Sequence, residues 1–168
     1  MNGDTRTVLV VTTGGTIDKV YFDALSEFTV GASMVGELLR EAHVDAPFRI
    51  VELLRKDSLE LTDEDRALIA GCVAAADETA VVITHGTDTM TVTAERLRAE
   101  PGCAGKTIVL TGALAPARFA HSDATFNVGM AFAAVQCQPP GVYLVMNGQV
   151  FTAGKVRKDR ANNRFERV

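Results

Sequence analysis

Five short and nearly continuous apolar segments recur along the chain, and they limit the folds that it can adopt. The segments are rich in Val and Ile and read TVLVVTT, FRIVELL, AVVITHG, TIVLTGA and GVYLVMN. Strands that helices cover on both faces have this composition, whereas a half-exposed strand alternates apolar with polar residues. The segments therefore predict buried parallel strands.

Helical patterns lie between these segments. Apolar residues recur at helical spacing around 34–42, 62–76, 89–100 and 122–137. Thr62 followed by Asp65 resembles a capping box at a helix start. Alternation of strands and helices predicts an α/β fold with a three-layer, flavodoxin-like arrangement, in which helices flank a parallel sheet. We expect one domain over 1–168.

The pattern changes after Gly148. A hairpin-like piece around a glycine is followed by a basic tail at 155–168, which holds six Lys or Arg and two acidic residues. A polar terminus of this kind is predicted to be solvated and ordered only in part.

Composition excludes several classes of protein. The net charge of -4 argues against a general nucleic-acid binder, which needs a surface rich in Lys and Arg. Three well-separated cysteines without a CxxC motif do not fit a disulfide framework or a zinc site, and they favour a reducing compartment. The N-terminus has no apolar stretch typical of a secretory signal, and no segment is long enough to span a bilayer. We expect a cytoplasmic protein without metal or organic cofactor.

Glycine and threonine follow three of the predicted strands. TTGGTI covers 12–17, THGTDT covers 84–89 and TGALAP covers 111–116. Ligands of open parallel sheets bind outside the carboxyl ends of the strands, where glycines let backbone N–H groups approach them. The segments predict a site for a small polar molecule, since nucleotide-binding loops, metal-ligand spacing and the GxSxG elbow are absent from the sequence. A loop hydroxyl acting as a nucleophile and a purely structural turn are both compatible with these residues.

These segments resemble the bacterial L-asparaginase family, which comprises type I and type II asparaginases and glutaminase-asparaginases. TGGTI at 13–17 and THGTDTM at 84–90 are similar to its two signature motifs. GALAPARFAHSDATFNVGMA and GVYLVMNGQVFTAGKVRK resemble two further blocks of the family, the second ending at Lys158. The resemblance covers about the whole chain. It implies hydrolysis of L-asparagine to L-aspartate and ammonia through an acyl-enzyme.

The resemblance also implies roles for the matching residues. Thr16 is implied as the primary nucleophile, and Thr87, Asp88 and Lys158 as a second group in which Lys158 polarises the Thr87 hydroxyl. Asp88 is implied to hold the substrate ammonium. The implied substrate contacts are Gly15, Ser58, Gly86 and Ala113, with backbone N–H groups near Thr87 and Ala113 forming an oxyanion hole.

The sequence departs from the family in two respects. It ends soon after the family's first domain, so we expect no C-terminal domain, a high KM, and Glu60 in place of the acid that this domain contributes. The family's loop tyrosine corresponds to Phe28 within SEFTVG. Tyr21 is predicted to replace it, with simple packing beside Phe22 as the alternative.

Alternatives stay open for other residues and for the function. Lys158 is either catalytic or one solvated charge of the basic tail. His85 is predicted to be structural, and His43 and His121 to lie on the surface. A glutaminase or amidotransferase-like amidase is the second functional interpretation, and a non-catalytic small-molecule or RNA-binding remnant is the third. A site completed across subunits favours self-association, with a dimer expected first.

Overall fold

The structure, a computed structural model, describes residues 6–168. Ten strands and four α-helices occur in this part of the chain. In chain order they are β1 (Val8–Gly14), β2 (Lys19–Phe22), β3 (Glu27–Val30), α1 (Val35–Glu41), β4 (Phe48–Lys56), α2 (Asp63–Ala75), β5 (Ala80–Thr84), α3 (Met90–Arg98), β6 (Thr107–Thr111), α4 (Ala124–Cys137), β7 (Gly141–Met146), β8 (Gln149–Thr152), β9 (Val156–Asp159) and β10 (Arg164–Arg167). All five predicted strands and all four predicted helices are present.

The central sheet has six strands in the order β4-β1-β5-β6-β7-β8. Its first five strands are parallel, and their order is that of flavodoxin-like folds, as predicted. A sixth strand, β8, which is not among the five predicted strands, pairs antiparallel with β7 at one edge of the sheet. Asn147 and Gly148 both have positive φ, of 52° and 70°, and they close the two-residue turn that such a hairpin requires.

Helices cover both faces of the sheet and complete the predicted three layers. Even-numbered residues of β1 face α1 and α4, and odd-numbered residues face α2 and α3. The side chains packed between the sheet and α2 or α3 include Val11, Ile69, Val73, Ile83, Met90, Leu97 and Leu110. Those on the other face include Val10, Val35, Leu39, Val82, Val128, Phe132 and Val145. Burial on both faces explains the absence of polar alternation.

The capping box at the start of α2 is confirmed. The Thr62 hydroxyl accepts the N–H of Asp65 at 3.2 Å, and the Asp65 carboxylate accepts the N–H of Thr62 at 2.9 Å. These bonds fix the chain direction just after the 57–60 turn.

The segment 19–30 forms a hairpin of β2 and β3 that the sequence did not predict, and we call it the arm. Lys19 ties the arm to the next loop through an ion pair with Asp57 at 2.7 Å. The rings of Tyr21 and Phe28 meet edge to face on it, with centroids 5.5 Å apart. Phe28 in turn meets Phe119 at 6.0 Å.

The prediction of a solvated tail at 155–168 is wrong. Residues 156–167 form the β9–β10 hairpin, in which Phe165 is only 2% exposed. The Phe165 N–H donates to Asn147 Oδ1 at 2.8 Å, and its ring packs 6.5 Å from that of Phe151. Apolar residues at 156 and 165 give the hairpin an inner face despite its many charges.

The prediction about a secretory signal falls partly on residues 1–5, which lie outside the described residues. Across residues 6–168, no helix combines the length and the apolar composition needed to cross a membrane.

Candidate active site

The order of the parallel strands places a crevice between β1 and β5. The chain moves from β1 to one neighbour, β4, and then crosses to β5 on the other side of β1. The loops that follow β1 and β5 therefore diverge at the topological switch point, where ligands of doubly wound sheets bind. They are the two loops that carry the signature-like motifs at 13–17 and 84–90.

The loops that follow β1, β4 and β5 pack closely against one another at Gly15 and Gly86, which have no side chain. A Cβ added to Gly15 would lie 2.4 Å from the backbone nitrogen of Gly86. A Cβ added to Gly86 would lie 2.6 Å from Ser58 Oγ. The structure thus brings Gly15, Gly86 and Ser58 together, and it places Thr16 and Thr87 on adjoining turns.

Thr16 begins a 3-10 turn over Thr16–Asp18 and is half-buried. Gly15 precedes it with φ 86° and ψ −171°, a conformation that essentially only glycine adopts. Its N–H donates to Lys56 O at 2.9 Å, and its carbonyl accepts the Asp18 N–H at 3.2 Å. The turn that positions Thr16 therefore depends on glycine at 15.

We expect Gly15→Ala to lower the free energy of unfolding by about 3 kcal/mol, because it adds backbone strain to a clash with the Gly86 backbone. Urea unfolding at neutral pH measures the loss. Gly71→Ala is the matched control, since a Cβ there meets no atom within 4 Å on the exposed side of α2. That variant should gain up to about 1 kcal/mol. Equal stabilities of the two variants would contradict the role of Gly15.

Lys158 lies against Thr87 and Asp88. Its Nζ donates to Thr87 Oγ1 at 2.7 Å and to Asp88 Oδ1 at 2.8 Å. The Lys158 side chain is only 11% exposed. It extends from β9, so the hairpin formed by the chain's last residues carries the ammonium into the site. Of the two sequence interpretations, the solvated tail charge does not fit this geometry.

Arg160 is a member of the site that the sequence analysis missed. Its Nε lies 3.5 Å from Asp88 Oδ1, and its guanidinium is two-thirds exposed. Asp88 therefore faces two cations. The sequence signal was weak, because Arg160 is one of many basic residues near the C-terminal end.

Ser58 is buried beneath the crevice, and its carbonyl accepts the hydroxyl of Thr89 at 2.7 Å. Glu60 belongs to the same 3-10 turn but is exposed. It lines a groove of about 500 Å³ between that turn and the arm, together with Phe28 and Asp57. Ser58 is thus packed beneath Gly86 at the floor of the crevice, whereas Glu60 faces the arm.

The loop after β6 is held by side chains at the start of α4. Asp123 accepts the N–H groups of Leu114 and Ala115 at 3.0 and 3.1 Å. Asn127 donates to Gly112 O at 2.9 Å. Ala113 lies between these anchored residues and is 1% exposed. Its backbone is therefore fixed before any ligand binds.

Asp18 is a buried acid that the sequence analysis did not single out. Burial raises its pKa to about 6, although the Met34 N–H that donates to Oδ1 at 3.0 Å opposes the rise. The Gly31 N–H donates to its carbonyl at 2.9 Å. Asp18 therefore joins the Thr16 turn to the base of the arm. An acid next to the TGGTI motif was visible in the sequence, but its burial depends on the segment that follows the arm, which holds Gly31 and Met34.

We expect Asp18→Asn to be more stable than the parent at pH 8, by up to about 3 kcal/mol. The folded-state pKa is raised, so the charged form is the one that folding disfavours. The cost is full above pH 6 and disappears as the pH falls towards 3.8. Thermal unfolding of both proteins between pH 8 and pH 4 should show the gap closing on the acid side. A gap that is constant with pH would contradict the burial of a charge.

Tyr21 is 53% exposed and rests its ring on Phe28 of the arm. The structure brings it to the arm rather than into the Thr87 group. His85 is fully buried, in agreement with the structural interpretation, and His43 and His121 are exposed as predicted. Across residues 6–168, no three His, Cys, Asp or Glu side chains are grouped as a metal site would need.

Comparison with known proteins identifies the family. The model of the family "Asparaginase, N-terminal" matches residues 7–166. The L-asparaginase of Thermococcus kodakarensis is 30% identical over 154 residues, which cover 90% of this chain and 47% of that protein. The glutaminase-asparaginase of Acinetobacter glutaminasificans is 29% identical over 163 residues, covering 90% and 49%.

Solved structures agree. The probable cytoplasmic L-asparaginase of Campylobacter jejuni superposes with a TM-score of 0.82 at 29% identity, over 96% of this chain and 53% of that one. The chain spans about half the length of the curated relatives it matches. Since the family model matches nearly all of its residues, the chain belongs to the asparaginase family and corresponds to the family's N-terminal domain.

Proposed function

We propose that this chain is an amidohydrolase that converts L-asparagine to L-aspartate and ammonia, with a threonine nucleophile. The observation that carries the proposal is the contact of the Lys158 ammonium with both Thr87 and Asp88. A largely buried amine held against a hydroxyl fits proton transfer to and from that hydroxyl. The names of its relatives, L-asparaginase and glutaminase-asparaginase, support the class of reaction.

The proposed reaction proceeds in two acyl transfers. The Thr16 oxygen attacks the side-chain amide carbon of the substrate and forms an ester, while the Thr16 hydroxyl proton passes through the Thr87 hydroxyl to the neutral amine form of Lys158. The C–N bond breaks, and the nitrogen leaves as ammonia with a proton returned to it. Water then attacks the ester carbon, releases L-aspartate and restores the Thr16 hydroxyl. Lys158 and Thr87 form the proposed proton relay.

Backbone groups are the proposed stabilisers of the developing negative charge. The N–H groups near Thr87 and Ala113 lie on loops that neighbouring residues already hold in place. Donors fixed before the reaction stabilise an oxyanion without reorganisation. Gly15 and Gly86 let the loops after β1 and β5 pack against each other, which places Thr16 and Thr87 on adjoining turns.

The ammonium group and the α-carboxylate of the substrate each need a binding partner. We assign the substrate ammonium to Asp88 and the α-carboxylate to Ser58. Glu60, in the groove beside the arm, is the proposed acid contact of the substrate. Since Asp88 also faces Lys158 and Arg160, its attraction for an ammonium is reduced, and we expect a KM in the millimolar range.

We expect Tyr21→Phe to lower kcat at least about tenfold while the melting temperature stays unchanged. The chain has two tyrosines, and Tyr143 donates its hydroxyl to Pro139 O away from the crevice. Tyr21 is therefore the phenol available to the arm, and phenylalanine keeps its packing on Phe28. Steady-state ammonia release measures the effect. An unchanged kcat would assign Tyr21 to packing alone.

Ammonia release from L-asparagine and L-glutamine, measured side by side, tests the proposed function. Purified chain should release ammonia from L-asparagine with formation of one equivalent of L-aspartate, and more slowly from L-glutamine. A mock purification from cells lacking the chain controls for host amidases. Preference for L-glutamine would favour the glutaminase alternative. Release from neither substrate would overturn the proposal and favour the non-catalytic alternative, for which salt-dependent RNA binding is the next assay.

We also propose that the chain self-associates and acts in the cytoplasm. Exposed aromatic rings on and beside the arm support association, since Tyr21, Phe28 and Phe119 are each about half exposed and contiguous. The Campylobacter jejuni neighbour is described as probably cytoplasmic. Light scattering during size-exclusion chromatography should show a dimer, and a monomer at all concentrations would contradict the association.

A further inference from the structure

His85 is a fully buried histidine next to the site, and the proposed reaction gives it no role. Both of its ring nitrogens are within hydrogen-bond distance of a partner. Nδ1 lies 2.7 Å from the carbonyl oxygen of Gly86, and Nε2 lies 2.7 Å from the hydroxyl of Thr93 on α3. A ring with both nitrogens engaged and no exposed surface is held in one orientation.

The two partners define which nitrogen carries the proton. A carbonyl oxygen only accepts, so Nδ1 must be the donor to Gly86. Burial lowers the pKa of His85 to about 4, so the ring is neutral at physiological pH and Nε2 has no proton. Nε2 then accepts the Thr93 hydroxyl. Thr93, itself fully buried, thereby selects the Nδ1–H form of the ring.

The bond to Gly86 fixes the orientation of the peptide between Gly86 and Thr87. In a trans peptide the C=O and the following N–H point in opposite directions. Because the Gly86 carbonyl faces the buried ring, the Thr87 N–H points away from the core. In the part of the chain that the structure describes, no protein acceptor takes this N–H. Glycine at 86 leaves the peptide otherwise free to rotate.

We infer that His85 is a positioning residue, which turns the Gly86–Thr87 peptide so that the Thr87 N–H faces the oxyanion of the reaction. The inference rests on the proposed function, and it gives the Thr93–His85–Gly86 chain of hydrogen bonds a catalytic purpose. The backbone of His85 is itself held, since its N–H donates to Thr111 O at 2.9 Å. The histidine therefore transmits the fixed geometry of β6 and α3 to the loop that carries Thr87.

Variants of His85 and Thr93 separate positioning from packing. His85→Asn keeps an amide donor near the place of Nδ1, whereas His85→Leu removes it. We expect kcat for L-asparagine to fall about 10²-fold or more in His85→Leu and less than about tenfold in His85→Asn, with similar KM in both. Thr93→Val should lower kcat because the Nε2 of His85 loses its hydrogen-bond donor. Thr93→Ser keeps the hydroxyl and should therefore keep most of the parent kcat. Thr107→Val, a buried threonine at the opposite end of the sheet, is the control for folding.

Nuclear magnetic resonance gives a readout that does not depend on activity. In the parent protein, long-range proton–nitrogen spectra should place the His85 proton on Nδ1, and His85→Leu should shift the Thr87 amide signal. An Nε2–H ring or an unmoved Thr87 amide would overturn the inference, even if the chain hydrolyses no amide. Equal losses of kcat in His85→Asn and His85→Leu that track their melting temperatures would also overturn it. If the parent is inactive but the spectra agree, the proposed function fails and the peptide orientation stands.

Discussion

Thr16→Ala should reduce ammonia release from L-asparagine by about 10³-fold or more while the protein stays folded. The variant removes the oxygen that forms the acyl-enzyme, and no other group on the 3-10 turn can replace it. Loss of the nucleophile removes the covalent route, and any remaining rate would reflect substrate binding and oxyanion stabilisation alone. We would measure kcat and KM by ammonia release, with melting temperatures alongside.

The fold should tolerate this change because the turn is held by backbone groups. The N–H of Gly15 and that of Asp18 make the bonds that shape it, and the half-buried Thr16 side chain is not needed for either. Thr152→Ala, an exposed threonine on β8, is the matched control and should keep full activity. If Thr16→Ala retains more than about a tenth of the parent rate while Thr87→Ala does not, the nucleophile is Thr87.

The sequence predicted the central sheet because the burial of each strand is visible in its own residues, as a continuous apolar segment. Strands β1, β5 and β6 are covered on both faces, so their apolar residues are continuous and the pattern is hard to misread. The capping box at Thr62 marked the start of α2 for a local reason, two hydrogen bonds within four residues. Signals of this kind do not depend on the rest of the chain.

The arm and the terminal hairpin escaped prediction because their stability is not local. Neither strand of the arm has a buried residue, and the position of the arm depends on the contacts of Lys19 with Asp57 and of Phe28 with Phe119. The terminal hairpin has a single large inward side chain, Phe165, among charged residues. The many basic residues obscured this pattern in the sequence. The contact of Phe165 with Phe151 holds the hairpin against the core.

The candidate site likewise combines features that the sequence could predict locally with features that depend on distant segments. Its members were visible as glycines and threonines after strands, and the family resemblance linked Lys158 to them. What the sequence could not supply was the environment of each group: the burial of Asp18, the closeness of Arg160 to Asp88, and the orientation of the His85 ring. These depend on segments that are distant in the chain and adjacent in the fold.

Lys158→Met is expected to lower kcat by about 10²- to 10⁴-fold, the range of a lost general acid–base group. Methionine keeps an unbranched stem in the space beside Thr87 and removes only the ammonium. The Thr87 hydroxyl would lose its partner at 2.7 Å, and Asp88 would keep only the exposed Arg160 as a neighbouring cation. KM should change less than kcat, because the relay acts on the reacting atoms rather than on the ends of the substrate.

Stability decides between a catalytic and a structural role for this lysine. Asp88 is one-third exposed, so the ion pair should contribute no more than about 1 kcal/mol to folding. Lys155→Met, on an exposed residue three positions earlier, is the matched control and should leave kcat and the melting temperature unchanged. A Lys158→Met protein that unfolds far more easily than the parent would make the terminal hairpin the reason for any lost rate. A protein of parental stability and parental kcat would remove Lys158 from the mechanism, and with it the contact on which the proposed function rests.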